Sequence, residues 1–233
     1  MIFTYAGNSC SQWSIKAFDK STSTGAANRY TELIIPGKDG SVLISDKRRN
    51  NVTVTYGCVI YQNAVTNLEA FRSWLLSQIG YQNLSDSLHT DEYYKAAVID
   101  DFDAYYDEDR DMVKFTVTFS RKPQRYLLSG SSAVSFTSSG SIYNPTQYSS
   151  RPKIRVYGTG TFSVGNNSVV VETNSGYTDI DCEVMEAYYG TVSRNANIRF
   201  VNNDYMEIKP GQSNVFLGTS ITKLEITPNW YRM

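Results

Sequence analysis

Apolar and polar residues alternate along much of this chain, which is the period of strands with one face in a core. Between Asn51 and Tyr61, Val52, Val54, Tyr56, Cys58 and Ile60 interleave with Thr53, Thr55 and Gly57. Val98 to Phe102, then Tyr105 and Tyr106, lead into Val113, Phe115, Val117 and Phe119, which alternate with Lys114, Thr116 and Thr118. One segment changes period. Leu68, Phe71, Leu75 and Ile79 recur at helical spacing, and Trp74 widens that apolar face. Thr66, with Glu69 three residues on, reads as an N-cap and capping box, and Gly80 as the stop. The expected helix, Thr66 to Ile79, needs a sheet to cover.

Beyond residue 130 the pattern is strand after strand. Thr161 to Val164 and Val169 to Val171 flank Gly165-Asn166-Asn167-Ser168, a hairpin signal. Ile180, Cys182 and Val184 alternate with Asp181, Glu183 and Met185. Ile198 and Phe200 precede a turn at Asn202-Asn203-Asp204, and Ile221, Leu224 and Ile226 form a closing strand. Short strands at regular spacing with Asn/Gly turns imply a sandwich or jelly roll. The small-residue stretches Ser129-Gly130-Ser131-Ser132 and Ser138-Ser139-Gly140-Ser141 suggest a flexible boundary. The division expected is 1–129 and 130–233, with the destination of the strand through Trp230 left open between the two. The fold class is mainly β: a first half of strands covered by one helix, then a C-terminal β-sandwich or jelly roll.

Composition narrows the function. Among 233 residues stand 18 Tyr and 10 Phe, and the formal net charge is -1. That balance gives no reason to expect tight nucleic-acid binding, which rests on basic patches. Apolar runs are too short for membrane insertion, and Met1 to Tyr5 lacks the basic start and apolar stretch of a secretory signal. Cys10, Cys58 and Cys182 are odd in number and widely spaced, so buried, reduced thiols are expected, not disulfides or a zinc site.

Candidate chemistry is thin. His89 is the only histidine, and its neighbours Thr90-Asp91-Glu92 look like a surface turn. The acidic run Asp100 to Asp111 fails the calcium-loop pattern, since the sixth position from Asp107 is Met112 and the twelfth Thr118. Gly158-Thr159-Gly160 has no helix behind it to hold a phosphate. No catalytic residue, metal or cofactor is therefore assigned. Tyr188, Tyr189 and Trp230 are candidate exposed aromatics that suit a sugar ring or, as the preferred reading, a protein interface. Pro36-Gly37-Lys38-Asp39-Gly40 joins two turn-forming dipeptides into a protruding bend and is a candidate interface loop.

In the last third, four signatures follow in order: Arg151-Pro152-Lys153-Ile154-Arg155-Val156-Tyr157-Gly158, Asp179-Ile180-Asp181-Cys182-Glu183-Val184, Pro210-Gly211-Gln212-Ser213-Asn214 and Ile226-Thr227-Pro228-Asn229-Trp230. Earlier come Ile35 to Gly40, Phe71-Arg72-Ser73-Trp74-Leu75, Leu84-Ser85-Asp86, Tyr93-Tyr94-Lys95-Ala96, and Val113 to Phe119 running into Lys122-Pro123-Gln124-Arg125. Together these resemble the distal tail protein (Dit) family of siphophages. The resemblance implies an N-terminal β-sandwich domain with one α-helix, assembled into a homo-hexameric ring, and a galectin-like C-terminal β-sandwich (jelly roll). It implies a non-enzymatic virion structural protein, the baseplate hub at the tail tip, made in the host cytoplasm. Its partners would be itself, the tail tube protein and the tail-associated protein of the tip, with host attachment as the wider role. In the Pro36–Gly40 loop it suggests a ring contact. The alternative, from another class, is a carbohydrate-binding module for host cell-wall glycans.

Overall fold

In a computed structural model, which describes every residue except 22–24, 173–175 and 203–204, the chain is mainly β with one α-helix. The turn expected at Asn202-Asn203-Asp204 thus falls largely outside the described residues. Two compact units are present, Met1–Arg125 with Met233, and Tyr126–Arg232.

The first unit is built from β1 (Phe3–Tyr5), β2 (Asn8–Ser9), β3 (Ile15–Lys20), β4 (Asn28–Ile34), β5 (Ser41–Arg49) and β6 (Val52–Tyr61). After α1 (Ala64–Leu76) come β7 (Gln82–Asp86), β8 (Glu92–Val98), β9 (Ala104–Asp107) and β10 (Met112–Leu127). The main sheet runs β2-β1-β7-β8-β10-β6-β3, with β9 also paired to β10. Laid flat, β1 and β6 would be on the order of 19 Å apart at about 4.8 Å per strand. Yet the Phe3 ring lies 4.9 Å from Tyr56 of β6 and 5.9 Å from Phe119 of β10. The sheet therefore folds over on itself. Backbone bonds close the ends: the Ala17 N–H of β3 donates to the Met1 carbonyl at 3.1 Å, and the Met1 nitrogen donates to the Ala17 carbonyl at 2.9 Å.

Helix α1 covers the apolar interior that this curl creates. Leu68, Phe71 and Leu75 are buried, and Phe71 meets Phe115 at 5.9 Å and Trp13 at 5.3 Å. Both helix ends differ from the pattern-based expectation. The helix starts at Ala64, so Thr66 is inside it, and Asn63 at φ +48° makes no side-chain cap. The cap comes from afar: the Asp111 carboxylate accepts the Asn63 and Ala64 N–H groups at 2.8 and 3.3 Å. At the other end the helix stops at Leu76, and Ile79 is 89 % exposed instead of lying on the buried face.

The second unit opens with the end of β10, followed by β11 (Val134–Phe136), β12 (Gly140–Asn144), β13 (Lys153–Gly158), β14 (Gly160–Val164), β15 (Asn167–Val171) and β16 (Tyr177–Asp181). It continues with β17 (Glu186–Tyr189), β18 (Val192–Ser193), β19 (Ile198–Phe200), β20 (Gly211–Leu217), β21 (Ile221–Thr227) and β22 (Tyr231–Arg232). A six-stranded sheet, β11-β21-β13-β16-β17-β18, and a five-stranded sheet, β12-β20-β14-β15-β19, share one core. Ile154, Val156, Ile180 and Ile226 from the first interleave with Phe162, Val164, Val169 and Val215 from the second. The Ser/Gly stretch expected to be flexible is instead pinned. Leu128–Gly130 forms a 3₁₀ turn, and the Gly130 carbonyl accepts the Asn229 N–H at 2.9 Å. Trp230 joins this core, its carbonyl accepting the Leu127 N–H at 2.8 Å.

Candidate assembly surface and aromatic face

Strands β4 and β5 stand apart as a two-stranded sheet. Register pairs Leu33 with Val42 and Thr31 with Ile44 on one side, and Glu32 with Leu43 and Ile34 with Ser41 on the other. Neither side is buried, and Ile34 is 76 % exposed, with Tyr30, Leu33, Leu43 and Ile44 about half exposed. An isolated hairpin is marginal in water, and apolar side chains on both of its faces mark a surface that meets something. Pro36, Gly37, Lys38, Asp39 and Gly40 form its tip, all exposed. The Lys38 N–H donates to the Ile35 carbonyl at 3.1 Å with Gly37 at φ +79°, the geometry of a type II turn with Pro at its second position. The sequence pointed to the tip and missed the flanks. The signal was available: apolar runs Leu33-Ile34-Ile35 and Val42-Leu43-Ile44 on either side of Pro-Gly and Asp-Gly.

The aromatic candidates separate. Trp230 is 5 % exposed and belongs to the second core, so its assignment as an exposed aromatic is corrected. It is buried because the turn at Gly130 leaves no side chain in the way: a Cβ there would meet the Trp230 nitrogen at 2.4 Å. Tyr188 and Tyr189 lie on β17 outside the core. Tyr188 stands opposite Asp179 on the outward face of the six-stranded sheet, half-buried, with the Lys153 ammonium 5.4 Å from its ring centre. Its neighbours repeat that arrangement. Arg155 lies 4.0 Å from the Tyr177 ring and Lys223 5.4 Å from the Tyr157 ring. Arg155 also binds Asp179 in a fork, at 2.7 and 2.9 Å. The hydrogen bond to Asp179 is the main reason the Arg155 guanidinium is raised above its ordinary range. Tyr189 packs on Tyr177 at 4.7 Å, with Arg194 over its ring.

Sequence patterning gave no sign of a buried charged cluster inside the first unit. Lys20 and Asp86 pair at 2.6 Å with both side chains enclosed, and the Tyr56 hydroxyl donates to Asp86 at 2.8 Å. Burial alone would raise the Asp86 carboxyl, but the Lys20 ammonium and the Tyr56 hydroxyl outweigh it and hold it below the usual range. Arg121, 1 % exposed, stacks at 4.9 Å on the Tyr94 ring, and burial lowers its pKa. Glu92 and Arg125 pair at 2.7 Å beside it. Lys20, Asp86 and Tyr56 hold one another, while the Arg121 guanidinium donates to the Lys122 and Pro123 carbonyls at 3.4 and 3.5 Å. His89 lies at the border, its Nδ1 3.7 Å from Asp86. All three cysteines are buried and free, and burial pushes the Cys58 and Cys182 thiols up to about 12, so both stay protonated at neutral pH.

No protein-family model and no curated protein matches the chain. Among solved structures it is similar to the SPP1 Dit (gp 19.1) protein, described as a paradigm of the hub adsorption apparatus in phages that infect Gram-positive hosts. The identity is 13 %, the TM-score is 0.67, and the likeness covers 97 % of both chains. In its fold, over nearly its whole length, the chain is Dit-like.

Proposed function

We propose that this chain is a structural hub protein of a phage or prophage tail, acting by assembly and not by catalysis. In this reading it forms a homo-hexameric ring that joins the tail tube protein to the tail-associated protein of the tip. Its place is the tail tip of the virion, reached after assembly in the host cytoplasm. The observation that carries the reading is the β4–β5 hairpin, whose two unburied apolar faces suit a position between subunits. A closed ring needs a heterologous contact, one surface of a subunit against a different surface of the next. A hairpin with a fixed turn at Pro36–Gly37 supplies one half of such a contact with little ordering entropy lost. The Dit-like fold supports the same reading.

The test is the mass of the full chain by light scattering, with negative-stain imaging. The expected result is a ring for the parent and a monomer of unchanged circular dichroism for the double variant Leu33→Ser, Ile44→Ser. A parent that stays monomeric at high concentration, or a double variant that still forms rings, defeats the reading.

A further inference from the structure

The outward face of the five-stranded sheet differs from that of its partner sheet. On the six-stranded sheet every tyrosine of the central rows lies under a cation that is itself tied to a carboxylate, so those rings are occupied. The five-stranded sheet has the opposite character. Its inward positions Ile142, Phe162, Val164, Val169 and Val215 are buried, so alternation turns their neighbours outward. Those neighbours include two rings, Tyr143 and Phe216, at 67 and 52 % exposure, and two amides, Gln212 and Asn214, with Thr161, Ser168 and Val170 on the adjoining strands. Hydroxyls of Ser141 and Ser163 stand in register with Asn214 and Phe216. Among the described residues of these strands there is no acid and no lysine. The one charge, Arg199 on the outermost strand, pairs with Glu172.

We propose that this face is a docking surface for an uncharged glycan strand. An apolar protein surface laid here would strip water from hydroxyls and amides without replacing their hydrogen bonds, at a cost for each group. A charged partner would find no counter-ion in the middle of the face. A polyhydroxylated chain meets both demands: its hydroxyls pair with the amides and serines, and its C–H faces lie on the exposed rings. Gln212 is already aimed, its Nε2 donating to the Ser141 Oγ at 3.1 Å. Tyr143 pairs in register with Gln212, four residues from Phe216 on the same strand. The two rings are therefore on the order of 14 Å apart along the strands, a span that calls for an oligomer and not a single sugar. At one end Gln212 and Asn214 join Asn166 and Asn167, together with Glu207 and Lys209, around a cleft of about 360 Å³, where a chain end or branch would fit. The site is independent of the ring contact.

The experiment uses the full chain against immobilised neutral hexose and N-acetylhexosamine oligosaccharides of increasing length, with a glycerol-phosphate polymer as the anionic arm. The expected result is binding to a neutral series that strengthens with length and is unchanged between about 50 mM and about 500 mM salt. Phe216→Ala and Tyr143→Ala should each weaken it about tenfold, while Tyr188→Ala leaves it intact. Both truncated side chains are exposed, so the melting temperature should not move. The proposal is overturned by no binding to any neutral oligosaccharide, or by binding confined to the anionic polymer or abolished by salt. It is overturned equally if Phe216→Ala lowers self-association instead, which makes the face a contact between copies. None of these variants should alter the ring mass, so failure here is distinct from failure of the hub reading.

Discussion

Lys20 and Asp86 form a 2.6 Å ion pair with side-chain exposures of 6 and 0 %, between strands β3 and β7, which are far apart in the order of the sheet. The pair can form only because the sheet curls. It therefore reports on the closed form of the first unit, and removing one partner leaves the other charge enclosed.

Lys20→Met should thus destabilise the first unit by about 3–5 kcal/mol, the usual cost of orphaning a buried charge. Adding Asp86→Asn to Lys20→Met should recover part of that loss. Urea unfolding followed by hydrogen exchange at β3 and β7 checks this, and a Lys20→Met protein as stable as the parent would show the pair is not enclosed.

The same pair sets an acid dependence. Because the folded state holds the Asp86 carboxyl below its ordinary value, its contribution is fully present above about pH 4, the unfolded carboxylate range. It is lost as pH falls through the lower folded value. The unfolding midpoint of the first unit should drop on acidification below about pH 4, and Asp86→Asn should flatten that drop. Equal slopes for parent and variant would contradict the assignment.

Asp111→Ala should cost about 0.5–2 kcal/mol, the range for losing an N-cap, although Asp111 lies far from α1 in sequence. Thr66→Ala should cost little, since Thr66 is not the cap. If thermal melts rank the two the other way, the capping assignment is wrong.

Leu75→Ala removes a fully buried side chain and should cost about 2–5 kcal/mol. Ile79→Ala, three residues beyond the helix, should be close to neutral. Chemical denaturation of the two single variants separates the real face of α1 from the one its spacing alone implies.

At Gly130 an added methyl would meet the backbone nitrogen and ring of Trp230. Gly130→Ala should destabilise the second unit by about 1–3 kcal/mol, the range for overpacking. Red-shifted tryptophan fluorescence with a lowered melting temperature is the expected signature.

What the sequence disclosed follows from the range of each interaction. The strands from Val52, Val113 and Val169 were legible because period-two alternation is local and each strand has one buried face. Helix α1 was legible for the same reason, but its ends were not. Its cap comes from Asp111, and no local pattern announces that. The β4–β5 hairpin escaped because neither of its faces is buried, which removes the alternation by which a strand is recognised. Trp230 was misplaced because a lone tryptophan near a chain end carries no burial signal of its own. Its place is set by the space above Gly130, a hundred positions earlier. The Lys20, Asp86 and Arg121 cluster was silent because charged residues normally mark solvent. The uncharged outer face of the five-stranded sheet became visible only when register placed Tyr143, Gln212, Asn214 and Phe216 side by side.

The curl of the first sheet also governs the order in which this chain matures during synthesis. Strand β1 leaves the ribosome well before its neighbour β7, and the Ser87 hydroxyl that accepts the Ile2 N–H follows 85 positions after Ile2. Until then Phe3 and Tyr5 have no core, and a bare strand edge waits in a crowded cell. The emergence of β7, not the appearance of the first strands, is then the earliest moment at which this unit can acquire its interior. Slow translation should leave it open to chaperones for as long as β7 is missing.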